Sequence, residues 1–101
     1  MPGPTISTHV LDVGRGVPVR GVRVDLYRNG RLVASRTTGD DGRIPDLIGG
    51  PLEAGTYRLV FAVPSEFFSR LDVEFTVTDP ARHYHVPLVV GPYLCATYRG
   101  A

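Results

Sequence analysis

Val22-Arg23-Val24-Asp25-Leu26-Tyr27-Arg28 runs directly into Asn29-Gly30 and then Arg31-Leu32. Val22, Val24 and Leu26 alternate with Arg23, Asp25 and Tyr27, the period-2 pattern of a strand with one buried face. Asn-Gly tolerates the two positive-φ positions of a tight hairpin turn better than almost any other pair. The stretch therefore predicts a strand over residues 22–28, a turn at 29–30 and a returning strand from Leu32 to Thr38.

The same pattern extends in both directions. Thr5 to Leu11 reads as a first strand, broken by Gly14-Arg15-Gly16-Val17-Pro18. Gly39-Asp40-Asp41-Gly42 is a turn, and residues 43–54, rich in Gly and Pro, read as a loop. Gly55 opens a strand over Thr56 to Val63, and Pro64 to Phe68 reads as a turn or a single helical turn. Leu71 to Thr78 alternates cleanly before Asp79-Pro80. His83 to Val90 reads as one strand, Gly91-Pro92 as a turn, and Tyr93 to Arg99 as the last strand. Seven or eight strands with turns every 8–12 residues and no long helix predict an all-β sandwich. Repeats, low-complexity tracts and linkers are absent, so residues 1–101 are expected to form one domain.

Composition narrows the function. Eleven basic residues, all Arg, nearly balance ten acidic ones. No basic block stands out and the five Tyr and four Phe are not interleaved with Arg, so no nucleic-acid partner is expected. The all-Arg usage reads first as a codon bias of a GC-rich genome, although Arg also suits oxyanion recognition. One cysteine, Cys95, precludes an intrachain disulfide and fits a reducing compartment. Met1-Pro2-Gly3-Pro4 carries no basic-then-apolar leader pattern, and no apolar run approaches a membrane span. A cytoplasmic protein with no membrane partner is expected. A domain of this size hides only roughly 60–70% of its unfolded surface. A deep pocket within one core is hard to build, and a site between subunits is easier.

The chemistry points to histidine. His83 and His85 are two apart, so on a strand they share a face, with Pro87 and Val89; Tyr84, Val86 and Leu88 take the other. The first strand splits into Ile6, Thr8 and Val10 against Ser7, His9 and Leu11. The first set of each pair reads as core. The second makes a mixed imidazole and apolar surface, better suited to a contact or a ligand wall than to open water. Three histidines also resemble a zinc constellation, but the third ligand must come from a distant strand and no acidic motif supports it. No metal or other cofactor is expected. Arg43 follows Asp40-Asp41-Gly42 and can serve in oxyanion or carboxylate recognition, or simply be solvated. Cys95 has no activating base nearby in sequence and reads as packing.

The spaced blocks resemble those of the transthyretin-like (prealbumin-type) family. Ile6 to Asp12, Gly16-Val17-Pro18 and Gly21 to Val24 are similar to its opening. Thr37-Thr38-Gly39-Asp40-Asp41-Gly42-Arg43 resembles its second block, and Thr76 to Pro80 with His83 to Leu88 its third. Tyr98-Arg99-Gly100-Ala101 resembles the Tyr-Arg-Gly-Ser tail of the hydrolase branch, with Ala101 where the family usually ends in Ser.

The resemblance implies a sandwich of two four-stranded sheets. It also implies dimers joined through edge strands, paired into a homotetramer around a central channel. In transthyretin that channel carries thyroid hormone; in the hydrolase branch it holds the active sites. That branch opens 5-hydroxyisourate, the product of urate oxidation, to 2-oxo-4-hydroxy-4-carboxy-5-ureidoimidazoline in purine degradation. Carried over by position, His9 and His85 match its catalytic imidazoles and Arg43 its active-site Arg. Tyr98, Arg99 and Ala101 fall in the substrate-binding tail. The connection between residues 63 and 71 is too short for the helix usual there, which is expected to be absent or reduced to a turn. The alternatives are a ligand-carrying protein like transthyretin, a structural or adhesion sandwich, and a hydrolase relative inactivated by Ala101.

Overall fold

The structure is a computed structural model that describes residues 3–101; Met1 and Pro2, which open the leader-free N-terminal reading, lie outside the described residues. Ten strands form two sheets: β1 (Ile6–Asp12), β2 (Val17–Pro18), β3 (Arg23–Arg28), β4 (Arg31–Thr37), β5 (Arg43–Ile44), β6 (Gly55–Ala62), β7 (Arg70–Val77), β8 (Tyr84–His85), β9 (Leu88–Gly91) and β10 (Leu94–Thr97). One sheet has the order β4-β3-β6-β7 and is antiparallel throughout. The other follows β10-β9-β1-β2, with the two-residue strands β5 and β8 also paired to β1. The four-stranded expectation therefore holds for the first sheet, and for the main path of the second.

The hairpin of the opening stretch forms as its residues require. Asn29 and Gly30 take φ of 50° and 83°, the two left-handed positions that Asn-Gly accommodates. Val24 and Leu26 are fully buried against Leu59 and Phe61 of β6 and against Ile6, Val10 and Leu88 from the opposite sheet. Ile6, Thr8 and Val10 are buried, as are Tyr84, Val86 and Leu88. The alternation of both His-bearing strands thus holds.

Three details differ from the sequence reading. The single strand expected over His83 to Val90 is divided, because Pro87 has no N–H for a ladder bond. Residues 43–54 are not loop throughout: Arg43–Ile44 pairs antiparallel with β1, Thr8 opposite Ile44 and His9 opposite Arg43. Val17–Pro18, part of the break after the first strand, folds back to pair with Leu11 and Asp12. Between β6 and β7 there is no helix. The Ser65 hydroxyl accepts the N–H groups of Phe67 and Phe68, and the Val63 N–H donates to the Ser69 carbonyl, which closes the connection. Among the described residues no helix is long and apolar enough to cross a membrane.

Gly42 fixes where β5 meets β1. Its φ is +75°, and its carbonyl accepts the Val10 N–H at 2.8 Å. A Cβ there would stand 2.7 Å from the Val10 carbonyl oxygen and 2.9 Å from Pro18. Gly16 has a similar φ of +68° but open space around it. Gly16→Ala should cost about 1 kcal/mol through conformation alone. Gly42→Ala should cost about 3 kcal/mol or more, because backbone must also move. Denaturant unfolding of the two variants side by side checks the difference.

Candidate active site

The sheet that contains β1 has one face in the core and one facing outward. Register puts Ser7, His9 and Leu11 of β1 on the outward side. Arg43 lies directly across from His9 on one flank, and His85 from Ser7 on the other. Val89 sits across from Leu11, and Ala96 of β10 across from Val89. His9, Arg43 and His85, expected together from the sequence, are thus brought to one face by three different strands. Each side chain is delivered by backbone pairing rather than by a loop.

His85 is held from several directions. Its Nδ1 lies 2.7 Å from the Ser7 hydroxyl, and its carbonyl accepts the Gly100 N–H at 2.7 Å. Gly100 passes so close that a Cβ on it would stand 2.6 Å from the imidazole Cδ2. The tail therefore closes on His85 through backbone, and glycine is the residue that permits the approach. Burial, followed by the nearby charges of Arg43, His83 and His9, pushes the His85 imidazole below its ordinary pKa of 6.5. It is consequently neutral at pH 7. Arg43 is free to act on other groups: five Arg–carboxylate pairs decorate the surface, and Arg43 is in none of them among the described residues.

The tail residues separate. Ala101 is exposed. Tyr98 is 58% exposed and borders a cleft of about 240 Å³ with Val73, Phe75, Tyr84 and Arg99. The Arg99 guanidinium stacks 4.5 Å above the Tyr84 ring, on the core-facing side of β8. It is not brought to the imidazoles. The position of the Tyr84 ring decides this, since Tyr84 and His85 point to opposite faces. Cys95 packs against the core and burial raises its thiol pKa, the environment of an unreactive cysteine. No cluster of three or more His, Cys, Asp or Glu side chains is arranged to hold a metal ion among the described residues.

Sequence reasoning gave Ser7 and His83 no role. The parity that grouped Ser7 with His9 was a usable signal. The contacts of Ser7 with both β8-side histidines depend on parallel pairing of distant segments, which no local pattern reveals.

An all-β sandwich that mounts paired imidazoles and an Arg on the outer face of one sheet defines a transthyretin-type protein with a polar, hydrolase-like face. The chain matches the HIUase/Transthyretin family over residues 6–100, and it belongs to that family. It is 40% identical over 115 aligned positions to a 5-hydroxyisourate hydrolase of Deinococcus radiodurans, covering 97% of each chain. It is 36% identical to a 5-hydroxyisourate hydrolase of Pseudomonas aeruginosa, covering 95% of this chain and 90% of that one. The structure of Klebsiella pneumoniae 5-hydroxyisourate hydrolase superposes with a TM-score of 0.85 at 36% identity, covering 96% of this chain and 99% of the other.

Removing the charge of Arg43 should raise the His85 pKa, since a nearby cation disfavours the imidazolium. An NMR titration of the His85 ring in Arg43→Gln checks the direction. The sign for stability follows from the lowered folded-state value. The unfolded chain takes up this proton first, so the contribution of His85 is intact above pH 6.5 and is lost as pH falls through it.

Proposed function

We propose that this protein hydrolyses 5-hydroxyisourate to 2-oxo-4-hydroxy-4-carboxy-5-ureidoimidazoline at the face built from His9, Arg43 and His85. The observation that carries the reading is that β1, β5 and β8 place these three side chains together, in a chain whose full-length relatives are 5-hydroxyisourate hydrolases.

The substrate is an activated cyclic amide. Water adds to the ring carbonyl carbon, the C–N bond breaks, the carbonyl becomes a carboxylate and the leaving nitrogen takes a proton. An imidazole can take the proton from water and, as imidazolium, deliver it to nitrogen. Arg43 offers fixed N–H donors to the substrate carbonyls and to the negative charge that develops on oxygen. Gly100 and the tail backbone wall off the His85 side.

The same face supports a homotetramer with the site in a channel between subunits. Leu11, Val89 and Leu94 share it by register, and Leu94 is 54% exposed. An apolar rim around polar chemistry suits contact with another copy. We place the enzyme, a single domain, in the cytoplasm and in urate breakdown; the lone Cys95 and the substrate support this. A hydrophobic-ligand carrier gains no support from a face that presents two imidazoles and a guanidinium.

The direct test generates 5-hydroxyisourate from urate and follows its ultraviolet decay. The protein should accelerate the decay. His85→Ala should lower kcat/KM by roughly 100- to 10,000-fold with the fold intact by circular dichroism. Undiminished turnover in that variant would sink the scheme. Because the tail reaches His85 through the Gly100 backbone, Ala101→Ser should change kcat/KM by less than about ten-fold. A wild-type protein that leaves the decay unchanged while Ala101→Ser accelerates it would instead identify a hydrolase silenced at that position.

A further inference from the structure

Ser7 is 7% exposed, and its hydroxyl lies 2.8 Å from His83 Nε2 as well as 2.7 Å from His85 Nδ1. His83 in turn accepts the Thr5 backbone N–H at its Nδ1, 3.3 Å away. These contacts run from Thr5, just before β1, through His83 and back through Ser7 to His85. We propose that they form a one-way hydrogen-bond chain in which Ser7 and His83 are positioning residues, and that the chain makes His85 the hydrogen-bond donor of the pair and leaves His9 to take the proton from water and return it.

The argument is a count of protons. A backbone N–H can only donate, so His83 Nδ1 carries no hydrogen. Neutral His83 therefore holds its proton on Nε2 and donates it to the Ser7 oxygen. A hydroxyl has one proton, and the Ser7 hydroxyl has no other hydrogen-bond acceptor among the described residues. It donates to His85 Nδ1. The reverse arrangement, with Ser7 accepting from both rings, strands its own proton in a buried position, which is unfavourable. With Nδ1 occupied as an acceptor, neutral His85 carries its hydrogen on Nε2. That atom has no hydrogen-bond partner among the described residues and is not sealed from solvent, so it is open to the outward face.

A neutral imidazole with an open N–H can hydrogen-bond a developing oxyanion, while the proton that His9 takes from water passes from its imidazolium to the leaving nitrogen. It has no free lone pair with which to take a proton from water. His9 makes no side-chain hydrogen bond among the described residues, so its lone pair remains available, and it stands beside Arg43. The division of labour follows from the anchor on one ring and its absence on the other. Its kinetic consequence rests on the hydrolase reading; the tautomer does not.

Two measurements on the full-length assembly test it. In the 15N-labelled wild type, long-range 1H–15N correlations should show neutral His85 with a bare Nδ1 and a protonated Nε2. In Ser7→Ala the signal should move toward the other tautomer. With 5-hydroxyisourate, Ser7→Ala should lower kcat about 10- to 100-fold with KM within about two-fold, the pattern of a lost orienting partner. Ser7→Thr, which keeps the hydroxyl, should recover most of the loss. His83→Gln, which can still donate to Ser7, should retain more kcat than His83→Leu. A wild-type His85 protonated on Nδ1, or a Ser7→Ala enzyme with unchanged kcat, overturns the proposal. If the wild type does not hydrolyse 5-hydroxyisourate at all, the functional reading fails, and the tautomer alone decides the hydrogen-bond chain.

Discussion

The backbone hydrogen bonding of β1 is the constraint on which the rest of the structure depends. Four strands pair with it: β2 and β5 antiparallel, β8 and β9 parallel. Its polar groups also receive the loops between them. The Ile6 carbonyl accepts Leu47, the Val10 carbonyl accepts Val19, and the Val10 N–H reaches Gly42. A buried backbone must satisfy its donors and acceptors, and here a seven-residue strand does so by collecting segments from across the whole chain. The side chains of those segments come along in register. Arg43 beside His9 and His85 beside Ser7 are consequences of backbone pairing before they are features of a site.

Core packing explains why the imidazoles and Arg43 are on the outside of the sheet. The inward side chains of β1, Ile6, Thr8 and Val10, are 0–1% exposed against the opposite sheet. A chain of this length leaves no room for a substrate there. The outward row of the same strands is the one rigid surface left, and strands hold a side chain more firmly than loops do. Paired carboxylates or a nucleophile on a flexible connection would need a second domain for shelter. A flat face can instead be sheltered by another copy of itself, and such a face mixes apolar residues with polar ones. Leu11, Val89 and Leu94 around His9 and His85 show that mixture.

Much of this was legible in the sequence, and the reasons for the rest are physical. Alternation in residues 22–28, 71–78 and 5–11 identified strands and their buried faces, because one-sided burial imposes period 2. Asn29-Gly30 located a turn, because its backbone angles exclude most residues. The division at Pro87 was readable in principle, since proline cannot donate. The pairing of Arg43–Ile44 was not, because two residues carry no period. The family pattern brought His9, Arg43 and His85 into one list, yet it also carried Arg99 with the tail. Only the folded side chains show that the Arg99 guanidinium lies over Tyr84, on the other side of the strand from His85. Sequence neighbours in a strand are spatial opposites.

Ser7 joins fold to function. A hydroxyl this deep needs partners, and the parallel pairing of β1 with β8 brings it two imidazole nitrogens. The Thr5 N–H has already settled which of the His83 nitrogens can donate. Every later proton in the chain is then determined, out to the exposed edge of His85. Burial and the neighbouring cation add to the same end, since both disfavour a second proton on that ring. The polarity of the His85 imidazole is thus set by an unsatisfied-donor rule that operates inside the fold, several bonds from its exposed edge. A strand that must satisfy its buried groups has, in doing so, told two chemically identical side chains apart.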